Sequence, residues 1–274
     1  MREQIIRFGD GDRISGILTA TENVRAGPAV IFLNAGIVHR IGPNRLHVLL
    51  ARAAAAAGFP ALRFDMSGLG ETPAAPPGLG YEEQAVADTR AAIMSLRNVL
   101  GERPIVLAGI CSGADNAYLT ALQEPRVRGL FLLDPYAYQS TGAKVSDLAR
   151  RAQDPERWKR LAGRLVGGGE EVPPVESTEE IHVDDNDRIA PPRDAFGRDL
   201  ELLAGRDVRM LLRYSAAVRH LINAPDQFFR TFSDFDLRGH VEVQVLSDID
   251  HTYTELSAQR ELQDRLVSWL STLP

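Results

Sequence analysis

Short runs of apolar residues alternate with longer amphipathic segments along most of the chain, and this alternation restricts the possible folds most strongly. The runs at 29–33, 61–64, 105–108 and 127–133 contain few polar side chains. A strand that is apolar at nearly every position is typical of a parallel sheet covered by helices on both faces. The segments between the runs have helical periodicity, so the pattern predicts an α/β protein with a mostly parallel, doubly wound sheet.

Two regions depart from this pattern. Residues 2–8 and 13–20 alternate between apolar and polar side chains around a Gly-Asp turn, which predicts an antiparallel N-terminal hairpin. The strand–helix alternation stops near residue 138, after the sixth predicted strand, and resumes with a strand at 207–214. We therefore expect three parts: the first part of the core at 1–137, a helical cap or lid inserted at 138–205, and the second part of the core at 206–274.

Composition argues against several classes of function. The chain has 31 Lys and Arg and 37 Asp and Glu residues, and its net charge of −6 does not suggest a nucleic-acid or membrane partner. Its one cysteine excludes an intrachain disulfide and a cysteine-rich metal site. We find no signal-peptide pattern, and no run approaches the ~20 apolar residues of a transmembrane helix, so we expect a cytoplasmic protein. The glycine-rich segments match neither the Walker A nor the dinucleotide-binding spacing, and we expect no cofactor or metal.

The segment from residue 105 to residue 114 is the most informative for chemistry. It is predicted to be a strand, a tight turn and the start of a helix, with Gly109 and Gly113 two residues on either side of Cys111. This spacing is typical of a nucleophile elbow, in which the central side chain projects above the sheet. Ser112 fits less well, because an isoleucine and an alanine stand at its two flanking positions. The alternative is that Cys111 is only a small buried side chain of the core.

Together these motifs resemble the α/β-hydrolase fold superfamily over essentially the whole chain, and specifically its branch with a cysteine nucleophile. Residues 29–36 (AVIFLNAG) resemble the third strand and the oxyanion loop, where Asn-Ala-Gly replaces the usual ending in His-Gly. Residues 62–72 (LRFDMSGLGET) resemble the loop after the fourth strand. His251 stands between the last predicted strand and the final helix, where the resemblance places the catalytic histidine.

The resemblance also implies an acid that orients His251, and two candidates remain open. In most of the family the acid follows the seventh strand, but here residues 208–214 run into Ser-Ala-Ala-Val without a carboxylate. The other accepted place is the end of the sixth strand, where Asp134 stands. We favour Asp134, and Asp226 is the alternative through a longer loop.

Further site residues are predicted by position. The oxyanion hole would use the backbone N–H groups of Ser112 and of Ile37 (or its neighbour Gly36). His39 and Arg40, just past the oxyanion loop, are candidates for binding a polar part of a substrate, although they also suit a solvent-exposed surface. Trp158, in the predicted cap, is a candidate to cover the pocket.

These residues lead to three hypotheses from different classes. The first is a thioesterase or cyclase that acts on a small-molecule acyl thioester, attached to coenzyme A or to an acyl or peptidyl carrier protein, in a biosynthetic pathway. Dienelactone hydrolases and Dieckmann cyclases, which this chain resembles, also have a cysteine nucleophile in the elbow. The second is a general carboxylesterase or lactonase. The third is a non-catalytic binding protein with the same fold.

Overall fold

The computed structural model describes residues 1–139, 188–237 and 239–273 of the chain. Eight strands form one sheet in the order β1-β2-β4-β3-β5-β6-β7-β8. The strands are β1 Arg2–Phe8, β2 Ile14–Ala20, β3 Ala29–Phe32, β4 Ala61–Phe64, β5 Ile105–Ile110, β6 Val127–Leu133, β7 Arg209–Tyr214 and β8 Val241–Val245. The described helices of two turns or more are α1 Leu46–Ala56, α2 Tyr81–Leu100, α3 Ser112–Gln123, α4 Arg193–Gly205, α5 Pro225–Thr231 and α6 Leu256–Leu270.

The sheet is mostly parallel, and the N-terminal hairpin is antiparallel, as the sequence predicts. β1 pairs with β2 and β2 with β4 in antiparallel fashion, whereas the pairs from β4 through to β8 are all parallel. All six parallel strands therefore end at the same edge of the sheet. Loops at the carboxyl ends of parallel strands are the usual place for a functional site in such a sheet.

Helices cover both faces of the sheet and explain why its strands are apolar throughout. Ala29 and Ile31 of β3 belong to one hydrophobic cluster, and Val30 and Phe32 belong to the other. Helices α1 and α6 pack together on one face, and α2 and α3 pack together on the other. Alternate side chains of a strand point to opposite faces, so each strand contributes to two cores.

The helix after β3 begins only after an irregular turn. The structure has a short 3-10 turn at Pro43–Arg45, and the α-helix begins only at Leu46. Asn44 and Arg45 have left-handed backbone conformations, with φ of 49° and 62°, so the chain cannot run straight from the turn into the helix. The Asn44 side chain instead donates a hydrogen bond to the carbonyl of Thr252, at 3.2 Å.

Most of the predicted cap, including Trp158, lies outside the described residues. The described end of that region contains the helix α4. Among the residues that the structure describes, no helix is long and apolar enough to cross a membrane.

Candidate active site

Cys111 occupies the tight turn between β5 and α3, with φ of 56° and ψ of −126°. A residue with a side chain rarely adopts this conformation, and such strain is concentrated at functional sites. Gly109 and Gly113 allow the turn to close, because a Cβ atom on Gly109 would lie 2.3 Å from the backbone of Gly113. The side chain of Cys111 is partly exposed at the carboxyl edge of the sheet.

The turn after β3 packs directly against this elbow. A Cβ atom on Gly113 would lie 2.5 Å from the carbonyl oxygen of Asn34, so only glycine permits the approach. The turn itself is closed by a hydrogen bond from Val38 N to Ala35 O, at 2.9 Å. The N–H of Gly36 donates to the Ser112 hydroxyl at 2.8 Å, which joins the turn to the start of α3.

These contacts leave the two predicted oxyanion donors available. Ile37 is at the tip of the turn with 90% of its surface exposed, and within the described chain its N–H has no hydrogen-bond acceptor. Ser112 is the first residue of α3, where a backbone N–H has no intrahelical partner. Of the two residues considered after β3, Gly36 already donates its N–H to Ser112, so Ile37 is the one left free.

The structure brings His251 and Asp134 together from the ends of β8 and β6. The Nδ1 atom of His251 donates to Oδ2 of Asp134 at 2.6 Å, and this carboxylate is only 1% exposed. Cys111 lies close enough to the imidazole to influence its pKa. Because Nδ1 is held by Asp134, Nε2 is the nitrogen that faces the thiol. Asp134, His251 and Cys111 therefore lie next to one another at the carboxyl edge of the sheet.

Asp134 is fixed by a partner that sequence reasoning missed. Ser215, the first residue after β7, donates its N–H to Oδ1 of Asp134 at 2.6 Å and its hydroxyl to Oδ2 at 2.7 Å. Ser215 begins the segment after β7, where the sequence resemblance led us to look for an acid and no carboxylate stands. The missing carboxylate after β7 was the signal that this position had another role.

The environment of His251 favours its protonated form. Burial alone lowers the pKa of the imidazole, but hydrogen bonds to Asp134 and Cys111 and the negative charges on both groups raise it to about 10. A buried cation is stable only with such compensation.

The neighbouring Asp250 orders the loop that carries His251. Its carboxylate accepts hydrogen bonds from the backbone N–H groups of Thr252 and Thr254 at 3.1 and 2.9 Å, and from both hydroxyls. Burial raises the pKa of Asp250, but these hydrogen bonds outweigh it and lower the pKa below its usual value. Asp250 therefore stabilises the loop and does not contact the imidazole.

Arg40, a predicted substrate-binding residue, is instead engaged within the protein. Its guanidinium pairs with the fully buried carboxylate of Asp65 and with Glu71, the latter at 2.7 Å, and its N–H donates to Asp65 at 2.6 Å. Asn34, just after β3, also links to the loop after β4, because its side-chain oxygen accepts a hydrogen bond from Met66 N at 2.9 Å. Arg40 therefore joins the loops after β3 and β4 through partners that are distant in sequence.

The other predicted residues have different outcomes. His39 is exposed on the surface beside this loop. Asp226, the alternative acid, lies on α5 and forms an exposed ion pair with Arg230, so the structure places Asp134 and not Asp226 against the imidazole. Trp158 lies outside the described residues.

A second charged group lies beside the elbow. Arg188 donates from Nε and Nη2 to the carboxylate of Asp115, which is one helical turn after Cys111. The guanidinium carbon of Arg188 is 5.0 Å from the ring centroid of Tyr136, two residues after Asp134. Burial raises the pKa of Asp115 to about 6, although Arg188 opposes the shift.

Neither the ligand geometry nor the residue types suggest a metal centre in the described part of the chain. Within those residues, no group of three or more His, Cys, Asp or Glu side chains is placed to hold a metal ion. The site instead presents a thiol, an imidazole and backbone N–H donors, which are the groups of nucleophilic catalysis.

Comparison with known proteins supports the fold. No family model and no curated protein matches the sequence. Among solved structures, an α/β serine hydrolase without lid from Xanthomonas campestris is 13% identical, with 100% of this chain and 98% of that chain covered and a TM-score of 0.57. Esterase Pf2001 of Pyrococcus furiosus is 15% identical, covers 99% of this chain and 91% of its own, and has a TM-score of 0.60.

A third similar structure is that of DcsB in complex with its substrate analogue. It is 16% identical, both chains are covered over 100% of their length, and the TM-score is 0.60. Agreement over the whole length at such low identity concerns the backbone arrangement. The sheet order, the elbow and these structural similarities together show that the chain has the α/β-hydrolase fold.

Proposed function

We propose that this protein is an acyl-transferring enzyme in which Cys111 attacks an activated acyl group and forms an acyl-thioester intermediate. One observation carries the proposal: a strained elbow presents the thiol to an imidazole that is hydrogen-bonded to a buried carboxylate. The similar solved structures named as a serine hydrolase and an esterase support acyl chemistry on this fold. A nucleophile, a base and an orienting acid within hydrogen-bond reach are the components that such chemistry needs.

In the first half of the reaction, the thiolate of Cys111 adds to the acyl carbonyl carbon. The negative charge that develops on the carbonyl oxygen is stabilised by the N–H groups of Ser112 and Ile37. The tetrahedral intermediate then collapses, and the bond to the leaving thiol or alcohol breaks. His251 donates its Nε2 proton to the leaving group, while Asp134 holds the imidazole through Nδ1.

In the second half, an acceptor attacks the thioester on Cys111. His251, now neutral, takes a proton from the acceptor, and the thiolate leaves again as an imidazolium–thiolate pair is restored. Water attacks a thioester carbon more slowly than an amine or a carbanion does. This difference favours a cyclase, in which an internal amine or carbanion attacks the thioester, over a thioesterase, in which water attacks it. Either enzyme would take the acyl group from coenzyme A or a carrier protein.

A carboxylesterase or lactonase is the second candidate, favoured by the name of the Pyrococcus furiosus structure. Turnover of a matched pair, the N-acetylcysteamine thioester and the ethyl ester of hexanoic acid, separates the two. An enzyme specific for thioesters should have a kcat/KM at least ~100-fold higher for the thioester than for the ethyl ester. An esterase should accept both substrates.

The Cys111→Ser variant makes this comparison sharper. An enzyme adapted to a thiol loses activity with serine, because a neutral hydroxyl lacks the stable charge pair with His251. An esterase with a degraded serine site gains activity instead. Ser112→Ala is the matched variant: it keeps Cys111 and the backbone donor, so it is slower but still acylated.

A further inference from the structure

Arg188 has a hydrogen-bonding capacity that the triad does not explain. Its Nε and Nη2 atoms are both taken by Asp115. Among the described residues, Nη1 has no hydrogen-bond acceptor, and it is not fully buried. The side chain is nevertheless only 18% exposed. A guanidinium held this firmly, with one amino group free, presents two N–H donors in a fixed direction.

The free amino group lies beside the proposed nucleophile. Asp115 N donates to Cys111 O at 3.2 Å, so Asp115 lies in the first turn of α3, directly after the elbow. The guanidinium of Arg188 lies over the ring of Tyr136, which follows Asp134 by two residues at the end of β6. Arg188 and Cys111 also interact electrostatically. The guanidinium of Arg188 therefore lies near the elbow that carries the thiol.

The charges around Arg188 suit a neutral acceptor better than an anion. Asp115 already balances the guanidinium, and Glu82 adds a second negative charge close to Asp115. A substrate carboxylate would meet two acidic side chains and one cation. A ketone or amide oxygen accepts a hydrogen bond without that repulsion, and hydrogen bonds from a charged donor are the stronger kind.

We propose that Arg188 determines specificity by donating hydrogen bonds from Nη1 to a neutral carbonyl oxygen of the acyl group. This inference rests on the proposed function and names its substrate class. The acyl chain carries a second carbonyl, as a ketone or an amide, within a few carbon atoms of the carbonyl that Cys111 attacks. Asp115 and Tyr136 are positioning residues that hold the guanidinium.

Binding to a protein that cannot react tests this assignment directly. In a Cys111→Ala background, calorimetry compares the N-acetylcysteamine thioesters of hexanoic acid, of its keto derivatives at the third or fifth carbon, and of adipic acid. We expect one keto compound to bind roughly 10- to 100-fold more tightly than the plain thioester, the range of a hydrogen bond to a charged group. The adipic compound binds less tightly than that keto compound.

Arg188→Met removes the donor but leaves Asp115 buried without its cation, which can destabilise the fold. The double variant Arg188→Met/Asp115→Asn removes both charges and keeps the test valid. In both variants, we expect the ratio of the affinity for the keto thioester to the affinity for the plain thioester to fall to about one. Arg198→Met, at an exposed arginine of α4, is the matched control and retains the wild-type preference.

A keto preference that persists in the double variant overturns the role of Arg188. Equal binding of plain and keto thioesters by the Cys111→Ala protein overturns it as well, and stronger binding of the adipic compound overturns the neutral substrate class. The proposed function fails separately, if the protein with Cys111 intact binds these thioesters but is never acylated.

Discussion

Gly113 provides the most quantitative test of the elbow geometry. A Cβ atom at this position would lie 2.5 Å from Asn34 O and 2.9 Å from Leu33 O. Carbon–oxygen contacts in proteins are rarely closer than about 3.3 Å, so Gly113→Ala forces a displacement of close to 1 Å. Both oxygens belong to the backbone at the end of β3, and neither can rotate away.

The cost of this displacement follows from overpacking. A forced backbone shift in a packed core typically costs about 1–3 kcal/mol, and the helix propensity of alanine offsets less than about 1 kcal/mol of it. Gly205 is the matched control, because it is also helical but has no atom within 4 Å of a Cβ position. Gly205→Ala is expected to stabilise the protein by about 0.5–1 kcal/mol.

Urea unfolding of the two variants and the wild type measures this contrast. We expect the midpoint to fall for Gly113→Ala and to rise slightly for Gly205→Ala, with unchanged m values. Acylation should also slow in Gly113→Ala, because the displaced turn carries the N–H of Ile37. Equal midpoints for wild type and Gly113→Ala would refute the close packing of the elbow against β3.

The remaining predictions concern the residues around the imidazole. Asp134→Asn should lower kcat by about 10³- to 10⁴-fold because the amide favours the wrong tautomer, whereas Asp226→Asn should change it less than about twofold. Ser215→Ala removes one hydrogen bond to a carboxylate and should lower kcat/KM about 10-fold; an unchanged value would contradict its positioning role. The pKa of His251 is raised from 6.5 to about 10, so its contribution to stability is complete below pH 6.5 and is lost as pH rises through 10. Urea unfolding should show the advantage of wild type over His251→Gln shrinking across that range, and a growing advantage would refute the shift.

The fold was predictable because its strands are recognisable locally. Continuous apolar runs predict strands that are buried on both faces, and the structure has β3, β5 and β6 at those runs. The elbow was equally accessible, since Gly109 and Gly113 mark the close approach of backbone segments. These features depend on steric requirements within a few residues of chain.

The acid was harder to assign because it depends on which strand ends are neighbours. Asp134 N donates to Arg213 O at 2.8 Å, so the end of β6 lies directly beside the end of β7. That contact allows Ser215 to hold a carboxylate that comes from the adjacent strand. A distance between two strand ends is not contained in either local sequence, which is why Asp134 and Asp226 both remained open.

Side-chain partners far apart in sequence were not predictable at all. Arg40 appeared available for a substrate, yet it is bound to Asp65, 25 residues later. Arg188 pairs with Asp115 across 73 residues and carried no recognisable motif. Charged residues have many possible partners, and only the folded chain selects among them.

The central claim is that Cys111 becomes acylated, and the mass of the intact protein tests it most directly. Wild type and Cys111→Ala are incubated with short-chain and β-keto acyl thioesters, and the mass is recorded over time. We expect an added acyl mass on the wild type that is absent from Cys111→Ala and that later decays as free or cyclised product appears. An acyl mass of equal size on Cys111→Ala, or none on the wild type while thioester is consumed, would contradict it.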